Sequence, residues 1–104
     1  MIERLSKYVA VSGSGEDRRI IVFCPACEDI HCLSTRWTWN GDVNRPTFAP
    51  SIKVTLSWGE DHVMHRCHSW LRNGEWTYCR DSTHALAGGT APLAPLPPWI
   101  GAEG

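Results

Sequence analysis

Two cysteines flank a proline-containing pair in Phe23-Cys24-Pro25-Ala26-Cys27, a tight knuckle that aims two thiolates at one point. Zinc closes a tetrahedron with four such soft donors, and a fully coordinated site of Cys and His is structural, with no position open for substrate. The remaining donors are Cys32, Cys67, Cys79, His31, His62, His65, His68 and His84. Cys67-His68 sets a Cys and a His side by side forty residues after the knuckle. Adjacent residues of a regular strand point to opposite faces, so both bind one ion only where the backbone kinks or bulges. His65 shares a strand face with Cys67 and is the geometric alternative. His31, just past the knuckle, is another, and His84 reads as a residue in or behind the site. Cys32 and Cys79 read as buried, inert thiols, and His62 and His65 as ordinary surface or core histidines.

A second set of residues could do hydrolysis. Asn40, Asp42, Thr47, Ser51, His68, Asp81 and His84 form a polar group that, converging on an open zinc position, would make a zinc-dependent hydrolase. The plainer reading gives these side chains to turns, caps and hydrogen bonds behind the metal.

Composition narrows the setting. A chain of 104 residues fits one domain with a modest core, which a metal staple would help to hold. The net charge of −1 lacks the basic excess of a nucleic-acid binder. A stripe of Arg18, Arg19, Arg36, Arg45, Lys53, Arg66, Arg72 and Arg80 among tryptophans keeps a nucleic-acid-binding, zinc-ribbon-like module as an alternative. No apolar run is long enough for a membrane span, and the charged first twenty residues lack a secretory signal. With five cysteines, an odd number, metal binding in the cytoplasm is the better reading than a disulfide framework. The six tryptophans fill a small core or line a binding face.

The elements that must carry these residues read as β-structure. Strands are predicted over about Tyr8–Val11, Arg18–Phe23, Glu28–Leu33 and Thr35–Trp39. Ser51–Trp58 alternates most cleanly, after a proline-bounded loop or edge at 44–50. Gly59-Glu60-Asp61 turns the chain into a strand over His62–Leu71. Asn73-Gly74 makes a type I′ turn into Trp76–Cys79. Asp81–Gly89 reads as a short helix capped by Asp81 or Ser82. The proline-rich tail from Pro92 to Gly104 should pack through Leu93, Leu96, Trp99 and Ile100 and then fray. The expected fold is therefore a mainly β domain over 1–104, with six or seven short strands, a zinc knuckle and one C-terminal helix.

Several blocks together resemble a family of small uncharacterised phage and prophage proteins. They are Phe23–Cys27, Trp37-Thr38-Trp39-Asn40-Gly41-Asp42, Pro46-Thr47-Phe48-Ala49-Pro50-Ser51-Ile52, Cys67-His68-Ser69-Trp70 and Asp81–Gly88. Members often carry the label ammonia monooxygenase, which nothing here supports, since no copper oxygenase chemistry is visible. The resemblance implies a small zinc-bound β-domain and maps the ligand blocks onto Cys24, Cys27, Cys67 and His68. Relatives often have Cys where this chain has Ser82, a departure that would bring in Cys79 or His84. The function it suggests is a module that binds and modulates a host bacterial protein, in counter-defence, within the host cytoplasm. Its contacts would come from Trp37, Trp39, Arg45, Trp58, Arg72 and Trp99.

Overall fold

The computed structural model describes residues 2–58 and 63–100. The expected turn at Gly59–Asp61, His62 and the end of the tail lie outside them. Among these residues ten short strands form, where six or seven were expected. β1 (Ile2–Arg4), β2 (Ala10–Ser12), β3 (Arg19–Cys24) and β4 (Asp29–Leu33) form one antiparallel sheet in chain order. β7 (Ile52–Trp58), β8 (Val63–Arg72), β9 (Glu75–Tyr78) and β10 (Thr90–Pro92) form a second, in the order β10-β9-β8-β7. β5 (Thr38–Trp39) and β6 (Phe48–Ala49) make a small ribbon between them in sequence.

The side-chain pattern explains this layering. Ile20, Ile21 and Val22 are all buried, so β3 is covered on both faces, as an unbroken β-branched run requires. Val22 and Cys24 join Leu33, Ile52, Cys67, Leu71, Trp76 and Tyr78 in the principal core between the sheets. Ile21 points the other way, into a smaller cluster with Ala10, Leu96 and Ile100 from the tail. Arg4 pins that tail by donating to the carbonyls of Pro97 at 2.6 Å and Ile100 at 2.7 Å. Leu93, Leu96 and Ile100 are buried, whereas Trp99 stands 64% exposed.

From Ile52 to Thr55 and from Arg66 to Arg72, burial in β7 and β8 alternates. Ile52, Cys67, Ser69 and Leu71 are buried, while Lys53, Thr55 and Arg72 are exposed and Arg66, His68 and Trp70 lie half-buried between them. One face of this sheet is therefore core and the other looks outward. The hairpin into β9 turns at Asn73 and Gly74, with φ of 51° and 73°, as a type I′ turn demands. A Cβ at Gly74 would also stand 3.2 Å from the Arg45 backbone.

The helix expected over Asp81–Gly89 does not form. Ser82 and Thr83 spend their hydroxyls on the β8 backbone instead of capping a helix. The segment becomes a series of turns, and the only helical element among the described residues is a single 3₁₀ turn at Gly15–Asp17.

Candidate active site and metal centre

The β3–β4 hairpin builds the first cluster. Cys24 ends β3, Asp29 opens β4 opposite it, and Glu28 takes a left-handed φ of 54° to close the knuckle. Cys27 comes to the surface beside Cys24. His31 lies opposite Val22, which puts its side chain on the core face that Cys24 also uses. Cys67 approaches from the core face of β8, its sulfur 3.9 Å from that of Cys24. The ligand atoms of Cys24, Cys27, His31 and Cys67 all lie within 4.8 Å of one another.

The chemistry of this group fits a metal ion. Three thiols so close cannot all ionise unaided. Hydrogen bonds from Cys27 and then Cys67 hold Cys24 far below the usual thiol range. In return Cys24 pushes Cys27 up to about 12, and Cys24 and Cys27 together raise Cys67 further. A cation at the centre removes that conflict by favouring all three thiolates at once. The buried Nε2 of His31 has no hydrogen-bond partner among the described residues, which leaves it available as a metal ligand. Tyr78 stands behind the group with its hydroxyl 3.3 Å from the Cys24 sulfur. Burial, then the hydrogen bond to Cys24 and its charge, raises the Tyr78 pKa, so the phenol remains the donor. This cluster can hold a metal ion.

Cys24, Cys27 and Cys67 thus come together with His31, and His68 lies apart from them. The reason is the strand itself. The β7–β8 register runs without a bulge through Val54↔Cys67 and Lys53↔His68, so Cys67 faces the core and His68 faces outward.

There His68 belongs to a different constellation. Its Nε2 lies 3.1 Å from the hydroxyl of Ser51, the residue just before β7. Its Nδ1 lies 3.0 Å from one carboxylate oxygen of Asp81 and 3.2 Å from the other. A carboxylate can only accept, so Nδ1 carries the proton, Nε2 is left as acceptor and the Ser51 hydroxyl donates to it. Serine, histidine and aspartate in this relation are the parts of a nucleophilic relay: a hydroxyl to attack, an imidazole to take its proton and an acid to hold the imidazole. Burial pulls the Asp81 carboxyl upward, but the hydrogen bond from His68, with the Arg66 guanidinium at 3.9 Å, outweighs it and holds the group below the usual carboxylate range.

The backbone around Asp81 is clipped to β8. Cys79 donates to the His68 carbonyl at 2.7 Å, the last bond of the β9 side. The chain then turns, and side chains continue the ladder. The Ser82 hydroxyl accepts from the His68 N–H at 2.9 Å and donates to its carbonyl at 3.0 Å. Thr83 does the same for Arg66, accepting its N–H on the hydroxyl at 2.9 Å and donating its own N–H to the Arg66 carbonyl at 2.8 Å. Asp81 is delivered to His68 by this clip. At the other end, the Trp37 indole donates to the Ser51 carbonyl at 3.4 Å. Cys79 also comes within ligand distance of His68 and Asp81, but both ring nitrogens of His68 are already engaged.

The rest of the polar set goes elsewhere. Asn40 accepts from Asp42 and Thr47, Asp42 accepts from Asn44 and Arg45, and Thr47 accepts from Asn73, so these three shape the loop before β6. His84 packs edge-on against Tyr78 at 4.7 Å. His65 and His84 line a cavity beside the metal cluster without joining its ligand set. Cys32, expected to be buried, is exposed, because it lies on the face of β4 opposite His31. Trp39 stacks on Phe48 at 6.1 Å, so it and Trp37 are structural as well as half-exposed. Ser51, His68 and Asp81 had been grouped only as part of a zinc hydrolase, and no local motif marks them as a serine relay.

Comparison with known proteins adds one finding. No curated protein and no solved structure matches the chain. Residues 2–79 match the family model of BubE, described as the bacterial ubiquitination-like system serine protease. This overturns the expectation of a phage or prophage protein that modulates a host protein in counter-defence: the description belongs to a bacterial system and to a hydrolase, closer to the enzyme reading. The match takes in Ser51, His68 and the metal cluster and ends just before Asp81. The chain belongs to the BubE family of bacterial ubiquitination-like system serine proteases.

Proposed function

We propose that this chain is a serine protease of a bacterial ubiquitination-like system, cleaving the peptide or isopeptide bond that follows the carboxyl end of a ubiquitin-like protein. The observation that carries the reading is the contact of Ser51 Oγ with His68 Nε2, backed by Asp81 on Nδ1. The family's description supports it independently. Ser51 attacks the scissile carbonyl and forms an acyl ester as its proton passes to His68 Nε2. The imidazolium, steadied by the Asp81 carboxylate, returns that proton to the departing amine. Water then enters, gives a proton to His68 and releases the acid, restoring Ser51.

The metal is proposed to be zinc, held by Cys24, Cys27, His31 and Cys67, whose three sulfurs and one nitrogen suit that ion. With four protein ligands it would supply structure, tying the β3–β4 hairpin to β8. The Ser51 relay supplies the nucleophile without it, which separates this reading from a zinc hydrolase. The bacterial cytoplasm is the proposed setting, consistent with five free cysteines. No helix among the described residues is long and apolar enough to cross a membrane.

The test is a linear fusion of a ubiquitin-like protein from such a system to a reporter. The wild-type chain is expected to release the reporter, and Ser51→Ala to lose that activity by at least about a thousandfold while keeping its fold. Cleavage that survives Ser51→Ala, or that tracks added metal instead, contradicts the reading.

A further inference from the structure

The substrate-binding surface can be read from which way the main chain of β7 points. In an antiparallel pair, facing residues alternate between those that exchange two backbone hydrogen bonds and those that exchange none. His68 faces Lys53, and Arg66 faces Thr55. His68 gives its N–H to Ser82 and takes the Cys79 N–H on its carbonyl. Arg66 likewise gives its N–H to Thr83 and takes the Thr83 N–H. Both residues therefore turn their backbone groups away from β7. Lys53 and Thr55 are the non-exchanging partners, so their own N–H and C=O groups point out of the opposite side of β7.

That side is a free edge. β7 is the outermost strand of its sheet, and nothing among the described residues hydrogen-bonds to these four backbone groups. Both side chains are exposed. The phase of the strand agrees: Ser51, two residues before Lys53, offers its carbonyl to the same side, where Trp37 takes it. The open edge thus begins immediately beyond the nucleophile.

We infer that the substrate lies along this edge as an added strand, antiparallel to β7, with the segment on the acyl side of the cleaved bond paired to Lys53 and Thr55. The inference rests on Ser51 being the nucleophile. An antiparallel peptide runs from Thr55 toward Ser51, so its carbonyl end arrives at the hydroxyl. The backbone groups of two alternate substrate residues then exchange bonds with Lys53 and Thr55, a mode that reads the main chain and tolerates many side chains. The occupant is a protein segment extended for several residues before its scissile carbonyl, as a flexible carboxyl-terminal tail is and a folded internal loop is not.

The test uses the unaltered chain. Diphenyl phosphonates of glycine bearing one to four alanyl residues are compared by the rate at which they modify Ser51, followed by mass spectrometry. The rate is expected to rise with length, by roughly threefold to tenfold for each backbone bond gained. N-methylation at the residues facing Lys53 and Thr55 should cancel the gain, and N-methylation at the residue between them should not. Equal rates at every length, or no alternation on N-methylation, overturns edge pairing while a simple fluorophosphonate still marks Ser51. If the fluorophosphonate itself leaves Ser51 unmodified, the protease reading falls, and this inference with it.

Discussion

At the scale of single residues, the decisive distinction is between two histidines. His31 and His68 both looked able to complete a metal site, and the spacing could not choose between them. The difference is parity: His31 shares the core face with Cys24, and His68, adjacent to Cys67, cannot share its face in an unbroken strand. His31→Ala is therefore expected to lower the metal content of purified chain well below one per chain by elemental analysis, whereas His68→Ala retains it. Asp81 makes a second residue-scale prediction. Asp81→Asn offers His68 Nδ1 an amide that can accept its proton only by chance of orientation, so turnover should drop by about 10³ to 10⁴ with little change in KM. Because the folded carboxyl is held below its usual value, its contribution to stability is present above the unfolded pKa and is lost as pH falls through the folded one. An acid titration of wild type against Asp81→Asn should thus converge only below about pH 4.

At the scale of elements, the strand and hairpin pattern was largely legible. The knuckle at Cys24–Cys27, the alternation from Ser51 and the turn at Asn73-Gly74 each carry a local signal, and each sits where that signal puts it. Asp81–Gly89 misled because Asp, Ser and Thr favour a helix start when nothing else is near. Here β9 ends before β8 does, and the exposed backbone of Arg66 and His68 is a better partner for those hydroxyls. The relay was illegible for a related reason. Ser51, His68 and Asp81 come from three segments with no shared motif, and only the β7–β8 register and the clip bring them together. Ser82→Ala removes both of the clip's bonds to His68 from a nearly buried position. It should cost about 1–3 kcal/mol in denaturant unfolding and lower kcat more than KM, and Ser82→Thr should restore part of both.

At the scale of the whole molecule, two sheets meet at the metal cluster, and β8 carries one site on each face. Cys67 meets the β3–β4 hairpin on the core face, and the neighbouring His68 contacts Ser51 on the outer face. Removing a metal ion held by this cluster should loosen the packing of the sheets and, with it, the alignment of His68 against Ser51. In small zinc peptides the binding free energy is folding free energy, on the order of 10 kcal/mol. A strong chelator is therefore expected to collapse the near-ultraviolet dichroism of the buried Trp76 and Tyr78 and to abolish hydrolysis in parallel, both returning when metal is restored.

The central claim is that Ser51 is a nucleophile activated by His68. Intact-mass and peptide mapping of the chain after exposure to a fluorophosphonate tests it most directly. A single adduct on Ser51, absent from folded His68→Ala, is the predicted result. An unmodified Ser51, or an adduct that forms equally fast without His68, would contradict it.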